Sequence, residues 1–424
     1  MPKLCLRKYL DRRFNLVLVL CFIFFVSGCA GAVAPKADTE SAAPIETAWG
    51  THHSDYKRDS MHPGPIDVPL KKTWKRSVRT FYQRFFKLSV PDTSSSPIVY
   101  DNILYAGSPG NRFFAFDLTS GKTVWKFKPK SPVNGAPTVD GDKVCFGTVN
   151  TVFHCLDRKS GAELWKMDAK AEILAAPVIA EGRVFMLSED NRLYALDAAT
   201  GKKLWGASSP SGETVLPRLV NSPAYADGRL YVMFSDGYLA ALDASTGREL
   251  WQARSTGNYL ADRGARHAPL LGGSMVYAID YGGYVTAYDA ISGEKKIRYD
   301  ITGVSDFAIK DGVFYAATNE RMTAMTASTG EVLWISDMPK DSTVSFLAMS
   351  GNHIFVFRNA KHRPLGIKRL EKDVSYITVY SATDGTVVWE KKFGTYMLSE
   401  PALFNGGAAF IDRKGRLYVF KAPV

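Results

Sequence analysis

The chain has 424 residues, a formal charge of +11 at neutral pH, 12% aromatic and 22% charged residues. This balance excludes a disordered chain, and no nucleic-acid-binding motif accompanies the positive charge. Without residues 1–28 the formal charge is +7, which reads as a solvated surface with no nucleic-acid role.

The chain opens as a targeting segment. Lys3, Arg7, Lys8, Arg12 and Arg13 precede an apolar run, Phe14 to Val26, which suits the h-region of a signal peptide. The run ends in Val26, Ser27, Gly28 and Cys29. This resembles the lipobox of bacterial lipoproteins. The resemblance implies a signal peptide over 1–28, lipid attachment (palmitate among the acyl chains) at Cys29, and, with Ala30 following, residence on the outer membrane facing the periplasm. Residues 29–69 read as a flexible tether, rich at first in Ala, Pro, Thr and Ser. His52, His53 and His62 lie within it, but no metal-ligand spacing is present and no metal is expected.

A repeat then takes over from residue 70. Its clearest copy is Ala195-Leu-Asp-Ala-Ala-Thr-Gly-Lys-Lys-Leu-Trp205, read as strand, tight turn and strand. Turn glycines recur at Gly121, Gly161, Gly201, Gly247, Gly293, Gly330 and Gly385. Spacings near 40 residues predict an all-β fold, a β-propeller of four-stranded antiparallel blades over 70–424. The N-terminal strand around Trp74 lacks its Asp turn, and the C-terminal unit lacks its last strand. The first is therefore expected to close the last blade from outside, which makes eight blades; seven is the alternative.

Trp74, Trp125, Trp165, Trp205, Trp251, Trp334 and Trp389 share one repeat position and are read as docking residues between blades. The fifth blade has Ile297 there, so its interface is expected to be the loosest, and Ile297→Trp is expected to raise stability. Aromatics recur on second strands (Tyr105, Phe185, Tyr231) and Ala on third strands (Ala115, Ala195, Ala241). Cys145 and Cys155 take those two positions in the second blade. They are expected to face each other, either as a disulfide or as two buried thiols.

The pattern Ala-x-Asp-x-x-Thr-Gly-x-x-x-Trp resembles the repeat of pyrroloquinoline-quinone dehydrogenase propellers. With the lipobox, eight repeats and little else, the chain resembles the BamB-like lipoproteins of the β-barrel assembly machinery. That resemblance implies a non-catalytic periplasmic scaffold, monomeric within a complex, that binds a BamA-like partner and needs no cofactor. It also implies a partner contact at Val215, Leu216 and Arg218, whose alternative reading is an ordinary connection. The next such loop, 261–267, is mostly basic where the family is acidic. A dehydrogenase reading is disfavoured: there is no adjacent-cysteine pair and no insert to build a cofactor pocket. A propeller with a different envelope partner or ligand is the remaining alternative. The basic insertion 358–375 reads either as a docking loop or as an exposed hairpin extension.

Overall fold

Alternating apolar residues, cut at regular intervals by Asp and Gly turns, can bury both faces only if successive small sheets stack on one another. The computed structural model describes residues 54–423, apart from 56, 59, 80–94, 210–220, 255–267, 281 and 363–370. Among the described residues the strands form eight sheets, and first strands of successive sheets touch around a common axis. This is an eight-bladed β-propeller. Blade 3 shows the plan: Val178–Ala180, Arg183–Ser188, Arg192–Asp197 and Lys203–Ser208 run antiparallel from the axis outward.

Ring closure follows the sequence expectation. Lys71–Ser77 pairs with Arg416–Lys421 as the fourth strand of blade 8. Trp74 then docks on blade 1, its indole N–H donating to Leu118 O at 2.8 Å. The same bond, 2.9–3.2 Å long, runs from Trp125, Trp165, Trp205, Trp251 and Trp334 to the residue after the turn Asp or its equivalent in the next blade. Each ring lies flat on the next turn glycine, where a Cβ would stand only 2.5–2.7 Å from the indole. Glycine is required there twice over, because φ is also positive at each of these turns. Trp389 is half-buried against the core shared by blades 7, 8 and 1, where no third-to-fourth turn exists to receive it.

The turn aspartates hold these docking platforms. Asp197 Oδ1 accepts from Thr200 N and Oγ1 at 2.8 and 2.7 Å, and Asp243 accepts from both Ser245 and Thr246. These hydroxyl donors pull Asp243 down to about 2, and lower Asp117, Asp157 and Asp197 in the same direction. A folded-state pKa below the unfolded value of about 3.9 gives stability that is present above pH 4 and lost as pH falls toward 2. Urea unfolding at pH 7 and pH 3 should therefore show an acid loss that shrinks in Asp243→Asn. An unchanged acid loss would remove the turns from the account.

The large and small residues of the repeat are partners within one blade. Tyr105 faces Ala115, Phe185 faces Ala195 and Tyr231 faces Ala241 across the second and third strands. In blade 2 the same register pairs Cys145 with Cys155, and a disulfide joins them.

Two sequence expectations need correction. First, the tether assigned to 29–69 does not extend over its described C-terminal part. Met61–His62 pairs in parallel with Ser342–Ser350, the first strand of blade 7. Leu271 N donates to Lys57 O and Met349 N to Ser60 O, both at 2.9 Å. The guanidinium of Arg58, 1% exposed, donates to Pro223 O, Ala176 O and Pro177 O at 3.0–3.3 Å. First strands present an unpaired edge to the axis, and this segment satisfies groups on several of them at once.

Second, the blade 5 to blade 6 interface is not left open by Ile297. Tyr299, two residues on, stacks on Phe314 at 4.1 Å and donates its hydroxyl to Ala327 O at 2.5 Å. It makes the bond that the indole makes elsewhere. Burial, reinforced by Tyr277, pushes its phenol up. Ile297→Trp is now expected to overpack against Tyr299 and lower stability by about 1–3 kcal/mol. Tyr299→Phe should cost about 1 kcal/mol through the lost hydrogen bond. Thermal melting checks both, and a stabilised Ile297→Trp would restore the first expectation.

Candidate functional site

Strand direction alternates within each blade, so the connections segregate. Fourth-to-first and second-to-third connections open on one face; first-to-second and third-to-fourth turns open on the other. Among the described residues the second face carries short Asp and Gly turns, crossed by residues 64–66 beside the turns at Gly351 and Asn405. The strand ends flanking 80–94, 210–220, 255–267 and 363–370 all lie on the first face. Interfaces favour connections of this kind on a rigid scaffold.

Val215, Leu216 and Arg218 lie in 210–220, outside the described residues, and so does the loop 261–267. Their flanks are firmly held. Ser209 Oγ donates to Asp236, and Asn221 Nδ2 donates to Met233 O at 3.1 Å. Cys29 also lies outside the described residues.

The insertion 358–375 is largely an extension of two strands, His353–His362 and Lys372–Ser381, which pair over ten residues. Arg358 is therefore no loop residue. It is 1% exposed and donates to Ser342 Oγ, Thr378 Oγ1 and Glu390 Oε2 at 3.1, 2.9 and 2.7 Å. Lys361 is clamped by Asp373 at 2.9 Å and Glu371 at 3.3 Å, and both hydrogen bonds raise its pKa. Residues 363–370 lie outside the described residues. Of this basic stretch, Arg358 is thus paired with Glu390 on the next strand and Lys361 with carboxylates of its own hairpin.

Sequence reasoning missed two buried ionisable groups near the axis. Arg58 sat in a presumed tether. Asp306, in the first strand of blade 6, accepts from Leu347 N at 2.6 Å and Phe307 N at 2.8 Å, so it links blades 6 and 7. Complete burial raises its pKa well above the usual carboxylate range. A carboxylate just before the apolar run 307–309 of the first strand Val304–Lys310 was the one available signal.

Quinoprotein chemistry calls for an adjacent-cysteine disulfide and a calcium site. The pair here is ten residues apart and spans two strands. Among the described residues no group of three His, Cys, Asp or Glu side chains could hold a metal ion. The described residues do not fit that cofactor, and no step is derived through it.

The fold and its Trp-on-Gly turns define a propeller of the quinoprotein repeat type. The chain belongs to the PQQ-repeat family described as outer membrane protein assembly factor BamB, which it matches over residues 71–152 and 114–336. The structure of BamB from Moraxella catarrhalis is similar with a TM-score of 0.66 at 16% identity, covering 84% of this chain and 100% of that one. The quinohemoprotein alcohol dehydrogenase of Comamonas testosteroni is similar with a TM-score of 0.68 at 14% identity, covering 90% and 81%. At such identities these likenesses show the fold alone. A quinoprotein ethanol dehydrogenase of Pseudomonas aeruginosa is 28% identical over 149 residues, 31% of this chain and 23% of that protein. The chain therefore spans less than a quarter of that relative's length.

Proposed function

We propose that this chain is a non-catalytic scaffold of outer-membrane β-barrel assembly, anchored to the outer membrane through Cys29 and facing the periplasm. Its partner is a BamA-like protein, bound on the face that carries the long connections, with Val215, Leu216 and Arg218 in the contact. The observation that carries the reading is the family match, which spans most of the propeller. It is supported by Lys57, Arg58, Ser60, Met61 and His62, which bond to first strands and their leading residues where a propeller would otherwise offer a ligand channel.

The test is recovery of a C-terminally tagged chain from membranes in mild detergent. Co-purification of a barrel protein with periplasmic repeats, weakened by Arg218→Glu, is expected. Cys29→Ala should abolish palmitate labelling and membrane retention. Recovery of a different envelope complex would overturn the assembly role. The dehydrogenase likeness motivates one control: added pyrroloquinoline quinone, calcium and an alcohol should produce no dye reduction.

A further inference from the structure

Each blade ends in an outer strand whose far edge pairs with no other strand among the described residues. Proteins guard such edges with charge, lysine above all. Seven of the eight outer strands obey this rule. Thr123–Phe127 carries Lys126, Glu163–Asp168 carries Lys166, and Glu249–Arg254 ends in Arg254. Lys203–Ser208, Lys295–Arg298, Val387–Phe393 and Lys71–Ser77 also contain lysine.

The outer strand of blade 6, Val332–Asp337, reads VLWISD and has no cation. Among the described residues it pairs only with Arg321–Thr326, so its other edge is open. Val332, Leu333 and Ile335 are 49%, 52% and 50% exposed. Ile335 faces Thr323 across the sheet, the register that holds Lys126 opposite Phe114 and Lys166 opposite His154. Blades 1, 2, 5 and 8 hold a cation at this register and blades 3, 4 and 7 hold Gly206, Gln252 and Glu390; blade 6 holds a large apolar side chain instead.

A cavity of about 510 Å³ adjoins this edge. One wall is residues 300–303, which follow the end of the outer strand of blade 5 at Arg298. Its wall on blade 6 is Thr323, Met325, Val332 and Ile335. Blades 1, 2, 3 and 8 place Phe114, His154, Tyr194 and Tyr418 where blade 6 has the smaller Thr323. Thr323 is 2% exposed, and its Oγ1 has no hydrogen-bond partner among the described residues. Asp300 and Glu320 stand on the rim against Arg321 alone, and Glu331 and Asp337 bracket the apolar residues. The site is acidic on a chain whose formal charge is +11.

We propose that Val332–Asp337 and the adjoining cavity form a docking site for an extended apolar segment of a partner protein flanked by basic residues, which adds to blade 6 as a fifth strand. Main-chain hydrogen bonds to the open edge give the affinity, and alternate apolar side chains enter the cavity. The acidic rim selects basic flanks. This goes beyond the scaffold reading and does not rest on it.

The test uses the full mature chain in mild detergent and a fluorescein-labelled peptide of alternating valine and threonine with lysines at both ends. Saturable binding by fluorescence anisotropy is expected, with slowed amide exchange in 332–337. Ile335→Lys, which restores the guard at a half-exposed position, should weaken binding at least about tenfold without changing the melting temperature. Val332→Lys is the second variant should the first fold poorly. The same peptide core with glutamates at both ends should bind at least about tenfold less tightly. No saturable binding, equal binding to the guarded variants, or protection of a different outer strand would overturn the proposal. Equal binding of the acidic peptide would overturn its charge selection. Sedimentation equilibrium covers the rival occupant: a wild-type dimer dispersed by Ile335→Lys would make the occupant a second copy of this chain and overturn the partner assignment.

Discussion

Gly201→Ala is expected to lower stability by about 3 kcal/mol, one of the largest effects of any single methyl group in this chain. Two costs combine. Gly201 has φ +71°, a left-handed conformation that costs an L-residue roughly 1–2 kcal/mol. The new Cβ would also stand 2.6 Å from the indole of Trp165, and overpacking of this kind costs about 1–3 kcal/mol. Gly330→Ala provides the internal control. Its φ of +76° carries the same strain, but the nearest atom to its Cβ is Ile297 Cδ1 at 3.4 Å. That substitution should cost only about 1–2 kcal/mol. Urea unfolding of both variants measures the difference. Equal losses would show that backbone strain alone explains these glycines and that Trp contact adds nothing. A Trp165→Phe background should recover part of the Gly201→Ala loss, because the smaller ring relieves the clash.

The second large effect lies on the axis. Arg58→Met is expected to cost about 3 kcal/mol or more. The guanidinium donates to three carbonyl oxygens, on Pro223, Ala176 and Pro177, and is 1% exposed. A hydrogen bond to a charged group contributes roughly 1.5–3 kcal/mol, and a buried carbonyl left without a donor costs about 1–3 kcal/mol. Arg58→Lys should recover only part, since an ammonium lacks the planar fork that reaches the residues leading into the first strands of two blades at once. Hydrogen exchange supplies a local readout. The amides of Leu271 and Met349, which donate to Lys57 O and Ser60 O, should exchange faster in Arg58→Met. Unchanged melting and unchanged protection at both amides would mean that the segment merely rests on the axis.

Much of the ring was legible in the sequence because its determinants are short-range. Asp197, Thr200, Gly201 and Trp205 lie within one turn and two strands, and most copies repeat the same local chemistry. The facing of Cys145 and Cys155 was legible for the same reason: the repeat fixes the register of second and third strands, whatever the residues there. The family was legible from the same repeat together with the targeting segment. The candidate site was less legible. Val215, Leu216 and Arg218 came from a resemblance in one connection, and no local pattern of apolar alternation or turn residues supports them. The insertion 358–375 stayed open between a docking loop and a hairpin extension, because a long second-to-third connection reads either way until its strands are seen to continue pairing.

By itself, then, the sequence determined a propeller of eight blades (with seven as the alternative), their strand order, Trp as the docking residue between blades and closure by the N-terminal strand. Each follows from periodic side-chain pattern and turn chemistry. That the Trp rings sit on the next turn glycine came from the structure. The tertiary structure alone decided what meets across the ring. Arg58 finds its acceptors more than a hundred residues away, because eight first strands converge on one axis and leave their edges to be satisfied. Tyr299 replaces the missing Trp because the next blade brings Ala327 O within reach. The unguarded edge of blade 6 is visible as six letters, but the cavity beside it exists only where blade 6 meets the residues that follow the outer strand of blade 5. Contacts between blades depend on how sheets stack, and no local stretch of chain encodes that distance.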